Sequence, residues 1–434
     1  MNKIVKDWAQ SAATLTLRQH HFIDGKSIPS ASGETFAVVN PATGKELVRT
    51  ASGDGADVDR AVRSARQSFE DGRWSRLDPA DRKRRLLKLS ELMRANAEEL
   101  ALLETLNMGK PISDSLNIDV PVAANCIAWN AEAIDKLYGE IAPTGPGALA
   151  LVSREPLGVV AAVVPWNFPL LMACWKLGPA LAAGNSVILK PAEQSPQSVL
   201  RLAELAIEAG IPDGVFNVVT GYGETAGKAF GMHMDVDALA FTGSTEVGKY
   251  FMEYSARSNT KRVSLECGGK TPHIIMADCP DIDAAAKAAA FGIFFNQGEV
   301  CNAGSRLLVD RRIKDQVLEK IIAASKALIP GDPLNEATTA GAIVTETQMK
   351  RVLDYIGIGQ QEGARLVHGG SRVRTESGGY FVEPTIFDQV DNQMRISQEE
   401  IFGPVLSTIA FDTAEQAIEI ANNTIYGLAD RKST

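Results

Sequence analysis

The sequence predicts an α/β protein built around a doubly wound parallel sheet. After Leu157, five short runs rich in β-branched residues alternate with helical stretches: V-V-A-A-V-V, N-S-V-I-L-K, V-F-N-V-V-T, A-L-A-F-T-G and V-S-L-E-C. Such runs are typical of strands that are buried on both faces of a parallel sheet. A second α/β unit is predicted after Glu266, from P-H-I-I-M-A and a helix near 282–295. We expect ligands beyond the carboxyl ends of the strands.

The composition indicates a large folded protein that binds neither nucleic acid nor a membrane. The chain has 434 residues, of which 45% are hydrophobic, with a net charge of −9 and a pI near 5.3. An acidic chain offers no basic footprint for nucleic acid or anionic lipid. Its apolar segments are broken by Pro165, Asn167 and Lys176, and its N-terminus lacks the apolar core of a signal peptide. We expect two or three domains and a cytoplasmic location.

The part of the chain before Gly139 is predicted to begin with strands and to continue as helices. From His21, the run H-F-I-D-G-K and the Gly/Asn/Pro-punctuated segment after it are typical of short antiparallel strands, which we interpret as a hairpin arm. Between Asp57 and Gly109, apolar residues recur every three or four positions, which indicates two or more amphipathic helices. A third helix is expected over about 122–138. The basic run D-R-K-R-R-L-L-K is interpreted as a solvated helix face.

The cysteines and histidines indicate neither a disulfide framework nor a metal centre. The five cysteines form no CxxC pair, and the five histidines have no HExxH spacing. Cys301 is distinguished by its surroundings, because it lies among small and amide side chains in F-N-Q-G-E-V-C-N-A-G-S-R. A partly exposed turn with nearby N–H groups or positive charge would lower the pKa of this thiol. We therefore predict that Cys301 is a nucleophile, with a buried structural cysteine as the alternative.

Two glycine patterns are weak candidates for phosphate binding. The pattern G-Y-G-E-T-A-G at 221–227 misses the dinucleotide fingerprint by one residue. The pattern F-T-G-S-T-E-V-G-K at 241–249 nearly matches a P-loop, but Tyr250 occupies the position whose hydroxyl should bind Mg²⁺. Tyrosine is too long for that task, so the sequence argues against an NTPase.

Three stretches together resemble the NAD(P)-dependent aldehyde dehydrogenases. They are P-W-N-F-P at 165–169, L-E-C-G-G-K at 265–270 and N-Q-G-E-V-C-N-A-G-S-R at 296–306, and matching motifs run from His21 to Ala429. The last motif is most similar to that of the γ-glutamyl-γ-aminobutyraldehyde dehydrogenases of bacterial polyamine breakdown. The resemblance implies a Rossmann-type cofactor domain, a second α/β catalytic domain and a small β oligomerisation arm.

The resemblance also implies the catalytic residues. Cys301 would attack the aldehyde carbon, while the Asn167 amide and the Cys301 backbone N–H would hold the oxyanion. Hydride transfer to nicotinamide would leave a thioester, for whose hydrolysis Glu266 would activate water. That task needs a carboxylate whose pKa is raised by a relatively dry site. Lys176 matches a family lysine associated with proton movement, and Lys270 stays unassigned.

NAD is the cofactor that the resemblance implies. The turn at Gly243 and Ser244 would present N–H groups and a helix N-terminus to the pyrophosphate. Glu193, in K-P-A-E, would accept bonds from ribose hydroxyls and repel a 2′-phosphate, so NAD should be preferred to NADP, with a surface salt bridge as the alternative. The predicted cofactor residues are Pro165, Trp166, Lys190, Glu193, Gly223, Gly243, Ser244, Glu400 and Phe402, the last two beside the nicotinamide ribose and ring.

The predicted substrate is an amino- or γ-glutamylamino-aldehyde. Asp119 falls where the family lines the mouth of its substrate tunnel, and its carboxylate would attract an amino group; an exposed aspartate at a helix start is the alternative. The other predicted substrate residues, which core packing would also explain, are Phe168, Met172 and Trp175. Two departures from the family are Glu299, where many relatives have glutamine, and Cys267, where they have leucine.

The expected domains are an NAD-binding domain at 1–136 and 155–264, an oligomerisation arm at 137–154 and a catalytic domain at 265–434. The resemblance implies a homo-dimer or homo-tetramer. Family members continue for several dozen residues beyond the final D-R-K-S-T, so we expect weak or absent activity.

Two other functions remain open from the sequence. A non-catalytic dinucleotide-binding or partner-binding protein on this scaffold would bind NAD while its Cys301 stayed unreactive. A cofactor-free thiol hydrolase or acyltransferase would need a Cys-His pairing, which is not recognisable.

Overall fold

A computed structural model describes residues 6–433. Residues 1–5 belong to the N-terminal segment in which the sequence indicates no signal peptide, and they lie outside the described residues. The N-terminal elements are α1 (Trp8–Ala13), β1 (His21–Ile23), β2 (Lys26–Ile28), β3 (Thr35–Asn40) and β4 (Lys45–Ala51). The predicted antiparallel strands are confirmed, since β1 pairs with β2 and β3 pairs with β4. The first hairpin is not a free arm, because every residue of β1 is buried and Phe22 pairs with Val218 of the large sheet.

Helices follow, as the apolar periodicity predicts. They are α2 (Gly55–Glu70), α3 (Pro79–Ala95), α4 (Ala97–Met108), α5 (Ile112–Asp114) and α6 (Val120–Ala133), with a π-helical segment, Ser115–Asp119, before α6. A capping box formed by Asp54 and Asp57 starts α2. The next elements, β5 (Glu140–Ala142) and β6 (Ala150–Val152), form a separate antiparallel pair with large exposed apolar side chains such as Ile141 and Leu151.

The first sheet has the predicted doubly wound arrangement. Its further elements are β7 (Val159–Val163), α7 (Pro169–Ala182), β8 (Ser186–Lys190), α8 (Gln197–Glu208), β9 (Phe216–Val218), α9 (Lys228–Met232), β10 (Ala238–Thr242), α10 (Thr245–Ala256) and β11 (Arg262–Glu266). The strand order is β11-β10-β7-β8-β9-β1-β2, and β7 to β11 are parallel. The chain builds outward from β7 on both sides, so the loops after β7 and β10 flank the point where ligands bind in such sheets.

The second sheet forms from the rest of the described chain. Its region contains β12 (Pro272–Ile275), α11 (Ile282–Phe294), β13 (Arg306–Asp310), α12 (Lys314–Ser325), α13 (Glu346–Gln361), β14 (Arg365–His368), β15 (Arg372–Val373), β16 (Phe381–Val382), β17 (Thr385–Asp388), α14 (Arg395–Gln398), β18 (Val405–Phe411), α15 (Ala414–Asn422) and β19 (Arg431–Ser433). The order is β14-β17-β18-β13-β12-β19, in which only β14 is antiparallel to its neighbour. The predicted second α/β unit and its helix are confirmed.

Apolar side chains are buried on both faces of each sheet, so each sheet has its own core. Within residues 6–433, no helix is both long enough and apolar enough to cross a membrane. All five cysteines are free thiols.

Candidate active site

A cavity of about 670 Å³ lies where the carboxyl-end loops of the first sheet meet the segment that carries Cys301. Most of the predicted site residues line it, namely Asp119, Pro165, Trp166, Asn167, Phe168, Met172, Trp175, Gly243, Ser244, Cys301, Glu400 and Phe402. Five others do not line it: Lys176, Lys190, Glu193, Gly223 and Glu266. Side chains that are far apart in the sequence therefore converge on one space, as the resemblance predicts.

Cys301 follows a strained turn at the end of α11. Three successive residues, Asn296, Gln297 and Gly298, have left-handed φ values of 50°, 55° and 71°. Each non-glycine residue in this region costs roughly 1–3 kcal/mol, and such strain persists only where surrounding contacts hold it. Glycine is required at Gly298 for a second reason, because a Cβ there would lie 2.2 Å from the carbonyl oxygen of Gly403. The turn thus places the thiol at the cavity instead of continuing the helix.

The surroundings of Cys301 differ from the expected ones. Burial of the half-buried thiol raises its pKa, and the nearby carboxylates Glu400 and Glu266 raise it further, whereas the Asn302 backbone N–H lowers it. The expected N–H groups are present and lower the pKa, but burial and the two carboxylates raise it, and the net change is upward. A thiol with these neighbours needs a base before it can attack.

Asn167 is held at the cavity wall directly after β7. Its side chain is 4% exposed, and its Nδ2 donates to the backbone oxygen of Glu299 at 2.8 Å. A carboxamide nitrogen carries two hydrogens, so this bond leaves the second N–H for another acceptor. Asn296 strengthens the connection, because its Nδ2 donates to the backbone oxygen of Asn167 at 3.1 Å.

Glu266 and Lys176 lie just behind the cavity. Glu266 ends β11, the edge strand of the first sheet, and its side chain is exposed. The predicted dry surroundings of Glu266 are therefore wrong, since an edge strand has no neighbour on one side to exclude water. Lys176 is mostly buried on α7, and its Nζ donates to Thr242 Oγ1 at 2.7 Å. Burial lowers its pKa to about 8, although the Glu266 carboxylate opposes that change.

Glu400 is fixed by the glycine pair that follows Glu266 and Cys267. The Gly269 N–H donates to Glu400 Oε1 at 3.1 Å, and a Cβ on Gly268 would lie 2.0 Å from Oε2. Burial raises the pKa of Glu400, while the Gly269 bond and the Lys270 charge lower it. The sequence alone gave neither glycine a role. The pair G-G between the two α/β units was the feature that could have indicated a close contact there.

Aromatic rings form one wall of the cavity. Trp166 and Phe402 meet edge to face with ring centroids 5.2 Å apart, and Phe402 itself has a left-handed φ of 60°. Phe168 and Phe295 also line the cavity, and their rings stack with centroids 6.2 Å apart. The predicted wall residues Met172 and Trp175 differ in exposure, at 8% and 52%. Trp175 is therefore not a core residue.

The residues predicted for the cofactor fall into two groups. Gly243 and Ser244 precede α10, where Ser244 Oγ accepts the Val247 N–H at 3.3 Å and the first turn of the helix lines the cavity. Lys190 and Glu193 lie outside the cavity and form an ion pair, with 3.6 Å between Lys190 Nζ and Glu193 Oε2. Lys190 is only 3% exposed, so the pair is not a simple surface salt bridge. Gly223 begins a π-helical turn in which a Cβ would meet no atom within 4 Å.

Asp119 is neither at an open tunnel mouth nor at an exposed helix start. Its side chain is 0% exposed and forms an ion pair with Lys110 Nζ, while Lys110 also lies 4.2 Å from the centroid of the Phe168 ring. Two further carboxyl groups lie close by, and burial raises the pKa of Glu104 to about 7 and that of Asp114 to about 6. Sequence reasoning missed Lys110 because nothing in M-G-K-P marks it as buried.

Comparison with known proteins agrees with this geometry. The sequence profile described as "Aldehyde dehydrogenase family" matches residues 28–431. The NADP/NAD-dependent aldehyde dehydrogenase PuuC of Escherichia coli K12 is 52% identical over 421 residues, which cover 97% of this chain and 84% of that protein.

Two solved structures are also similar. An indole-3-acetaldehyde dehydrogenase in complex with NAD+ is 59% identical with a TM-score of 0.98, and a γ-glutamyl-γ-aminobutyraldehyde dehydrogenase from Burkholderia cenocepacia J2315 is 55% identical with a TM-score of 0.97. Each match covers 99% of this chain and 86% of the solved chain. The chain therefore belongs to the aldehyde dehydrogenase family and is an NAD-dependent oxidoreductase that acts on aldehydes.

Proposed function

We propose that the substrate is an aldehyde with an amino or γ-glutamylamino group, and that Cys301, Asn167, Glu266 and Lys176 carry out its oxidation. The observation that supports this substrate class is the cluster of carboxyl groups to which Asp119 belongs. Three carboxyl groups, Glu104, Asp114 and Asp119, surround Lys110, which is the cation that acts on all three. An ammonium group at this end of the cavity would favour their charged forms.

The names of similar proteins support this substrate class. Besides the B. cenocepacia structure, a protein of Pseudomonas aeruginosa named aminoacetaldehyde dehydrogenase is 49% identical over 424 residues. A second candidate is an aromatic aldehyde, favoured by the half-exposed Trp175 and by the ladder in which Phe291 and Phe295 stack with centroids 5.0 Å apart. The indole-3-acetaldehyde dehydrogenase supports that alternative.

The positions of the side chains support the following catalytic roles. Glu266 takes the proton from Cys301, and the thiolate attacks the aldehyde carbon to give a tetrahedral thiohemiacetal. The free N–H of Asn167 and the backbone N–H of Cys301 hold the oxyanion, each contributing about 3 kcal/mol. After hydride loss, Glu266 removes a proton from the water that hydrolyses the thioester. Between these two steps Glu266 gives up the thiol proton to the neutral form of Lys176, whose pKa burial lowers to about 8, and Lys176 returns that proton to solvent.

The chain has groups that fit NAD. The N-terminus of α10 faces the cavity with the N–H groups of its first turn and a positive dipole, a favourable site for the pyrophosphate. The Glu193 carboxylate fits ribose hydroxyls and would repel a 2′-phosphate, so we propose that NAD is preferred to NADP. When bound, the nicotinamide accepts the hydride. Glu400 and Phe402 would orient its ribose and ring.

The remaining organisation is proposed on the same basis. Residues 1–136 and 155–264 form the NAD-binding domain, residues 265–434 the catalytic domain and residues 137–154 an oligomerisation arm. The exposed apolar side chains of the β5–β6 pair support a homo-dimer or homo-tetramer. We also propose a cytoplasmic location, in agreement with the free cysteines.

The experiment compares kcat/KM for an ω-aminoaldehyde, an uncharged aliphatic aldehyde of equal length and an aromatic aldehyde. We expect the aminoaldehyde to be preferred, and Asp119→Asn to reduce that preference about tenfold, which corresponds to 1.4 kcal/mol. The control Asp57→Asn changes another buried carboxyl group, in α2, that lies outside both the carboxyl cluster around Lys110 and the cavity. Equal preference in all three proteins would remove the amino-group proposal, and preference for the aromatic aldehyde would favour the second candidate.

A further inference from the structure

Glu299 lies two residues before Cys301 and is buried behind the turn that carries it. Its side chain is 0% exposed, and its Oε1 accepts the Val344 N–H at 3.1 Å. The other carboxyl oxygen has no hydrogen-bond partner among residues 6–433, although the Gln297 amide lies close to the group. Burial raises the pKa of Glu299 well above its usual range, whereas the Val344 N–H and the Lys110 charge lower it.

The segment 341–344, which receives this carboxyl group, is firmly held. Each of its four backbone N–H groups has an acceptor in another part of the chain: Gln297 Oε1 at 2.9 Å, Gly109 O at 2.9 Å, Tyr380 O at 2.8 Å and Glu299 Oε1 at 3.1 Å. Close packing adds to this, since a Cβ on Gly341 would lie 2.1 Å from Gly109 O. The segment can therefore act as a fixed support for the strained turn.

The backbone oxygen of Glu299 faces the opposite direction, toward the cavity wall. It accepts Asn167 Nδ2 at 2.8 Å and Asn296 Nδ2 at 3.3 Å. The orientation of the Asn167 amide plane, and hence of its second N–H, is set by this oxygen. One residue thus connects a rigid segment, through its side chain, to the proposed oxyanion donor, through its backbone.

We propose that Glu299 is a positioning residue for the oxyanion donor: its carboxyl group acts as a hydrogen-bond acceptor anchored on Val344, and its carbonyl directs the Asn167 amide. The proposal rests on the role proposed above for Asn167. An oxyanion donor must be oriented before the reaction, because a donor that reorients during the reaction stabilises the transition state less. The charge of Glu299 has no part in this role.

Two conservative variants separate positioning from charge. Glu299→Gln keeps the length and the acceptor but cannot carry a charge, so kcat should stay within about twofold of the parent value. Glu299→Asp can still ionise but is one methylene shorter, so it cannot reach Val344 without moving its carbonyl; kcat should fall at least roughly tenfold while KM for NAD is unchanged. If the charge of Glu299 mattered instead, Glu299→Asp would keep a higher kcat than Glu299→Gln. That result would overturn the proposal.

A double-mutant cycle tests whether the effect passes through Asn167. With Asn167→Ala already present, Glu299→Asp should lower kcat by less than about twofold more. An Asn167→Ala variant with parental kcat would refute the role of Asn167 in the proposed function. If Asn167→Ala is slow while Glu299→Asp is as fast as the parent, or if the two losses multiply, the positioning role itself fails.

Asp57 provides a matched control for loss of stability. It is also a buried carboxyl group that accepts a backbone N–H, from Ala31 at 2.9 Å, but it lies in α2 and does not line the cavity. Asp57→Ala should lower the thermal midpoint while leaving kcat per folded molecule unchanged. If it lowers kcat as much as Glu299→Asp does at a similar loss of thermal stability, the loss at Glu299 reflects stability and the proposal is refuted.

Discussion

Gly268 is a position where a single added methyl group should displace a side chain that we propose holds the cofactor. A Cβ on this residue would lie 2.0 Å from Glu400 Oε2 and 2.4 Å from the carboxyl carbon. Ordinary van der Waals contact begins at 3.4 Å, so Gly268→Ala must displace the Glu400 carboxyl group by about 1.4 Å. The backbone at Gly268 does not require a positive φ, hence the steric contact alone causes the change.

The magnitude follows from the bond that this displacement breaks. The Gly269 N–H donates to Glu400 Oε1 at 3.1 Å, and a shift of about 1.4 Å away from the glycines exceeds the distance over which a hydrogen bond persists. A hydrogen bond to a charged group contributes about 1.5–3 kcal/mol. If Glu400 orients the nicotinamide ribose, as proposed, affinity for NAD should fall roughly 10- to 150-fold.

The assay is the Kd for NAD by fluorescence titration together with KM for NAD in the steady state. Gly357→Ala is the matched control, because a Cβ there meets no atom within 4 Å and the residue lies inside α13. The control should leave both constants unchanged. An unchanged Kd and KM in Gly268→Ala, in protein with a normal thermal midpoint, would refute the role of Glu400 in holding the cofactor.

Two further predictions concern Lys270 and Glu193. Lys270 is 2% exposed, its Nζ has no hydrogen-bond partner among residues 6–433, and burial lowers its pKa to about 7. The unfolded chain therefore binds more protons than the folded one above pH 7, and stability should rise with pH up to about 10. Lys270→Met should raise the urea midpoint at pH 7 and reduce the increase of that midpoint between pH 7 and 9. The same increase in the parent and the variant would contradict the lowered pKa of Lys270. Glu193→Gln should raise kcat/KM for NADP relative to NAD about tenfold, because it removes the charge that repels a 2′-phosphate; an unchanged ratio of the two kcat/KM values would show that Glu193 does not select the cofactor.

The local patterns of the sequence predicted the fold well because each element is marked within a few residues. Buried β-branched runs mark β7 and β8, and apolar periodicity marks α2 and α3. The convergence of Asn167 and Cys301 was also predictable, since both follow elements whose ends face the same crevice.

The environments of individual side chains were less predictable. Glu266 was expected in a site that excludes water, but its side chain is exposed because β11 is an edge strand. The sequence does not reveal which strand lies at the edge. Asp119 was expected at an open tunnel mouth, but its side chain is buried and paired with Lys110. Burial and pairing depend on which elements become neighbours, and no local pattern records that.

The sequence by itself determined the α/β architecture and, through its motifs, predicted a nucleophile and the groups that meet around it, since backbone preferences and motif chemistry are properties of short stretches. Tertiary structure alone decided the charge balance of those groups. The thiol of Cys301 beside Glu400, the buried acid of Glu299 bonded to Val344, and Lys270, whose Nζ has no hydrogen-bond partner among residues 6–433, each have a pKa set by what surrounds them. The physical reason is that desolvation and Coulomb interactions act through space, between residues that the chain separates by tens to hundreds of positions.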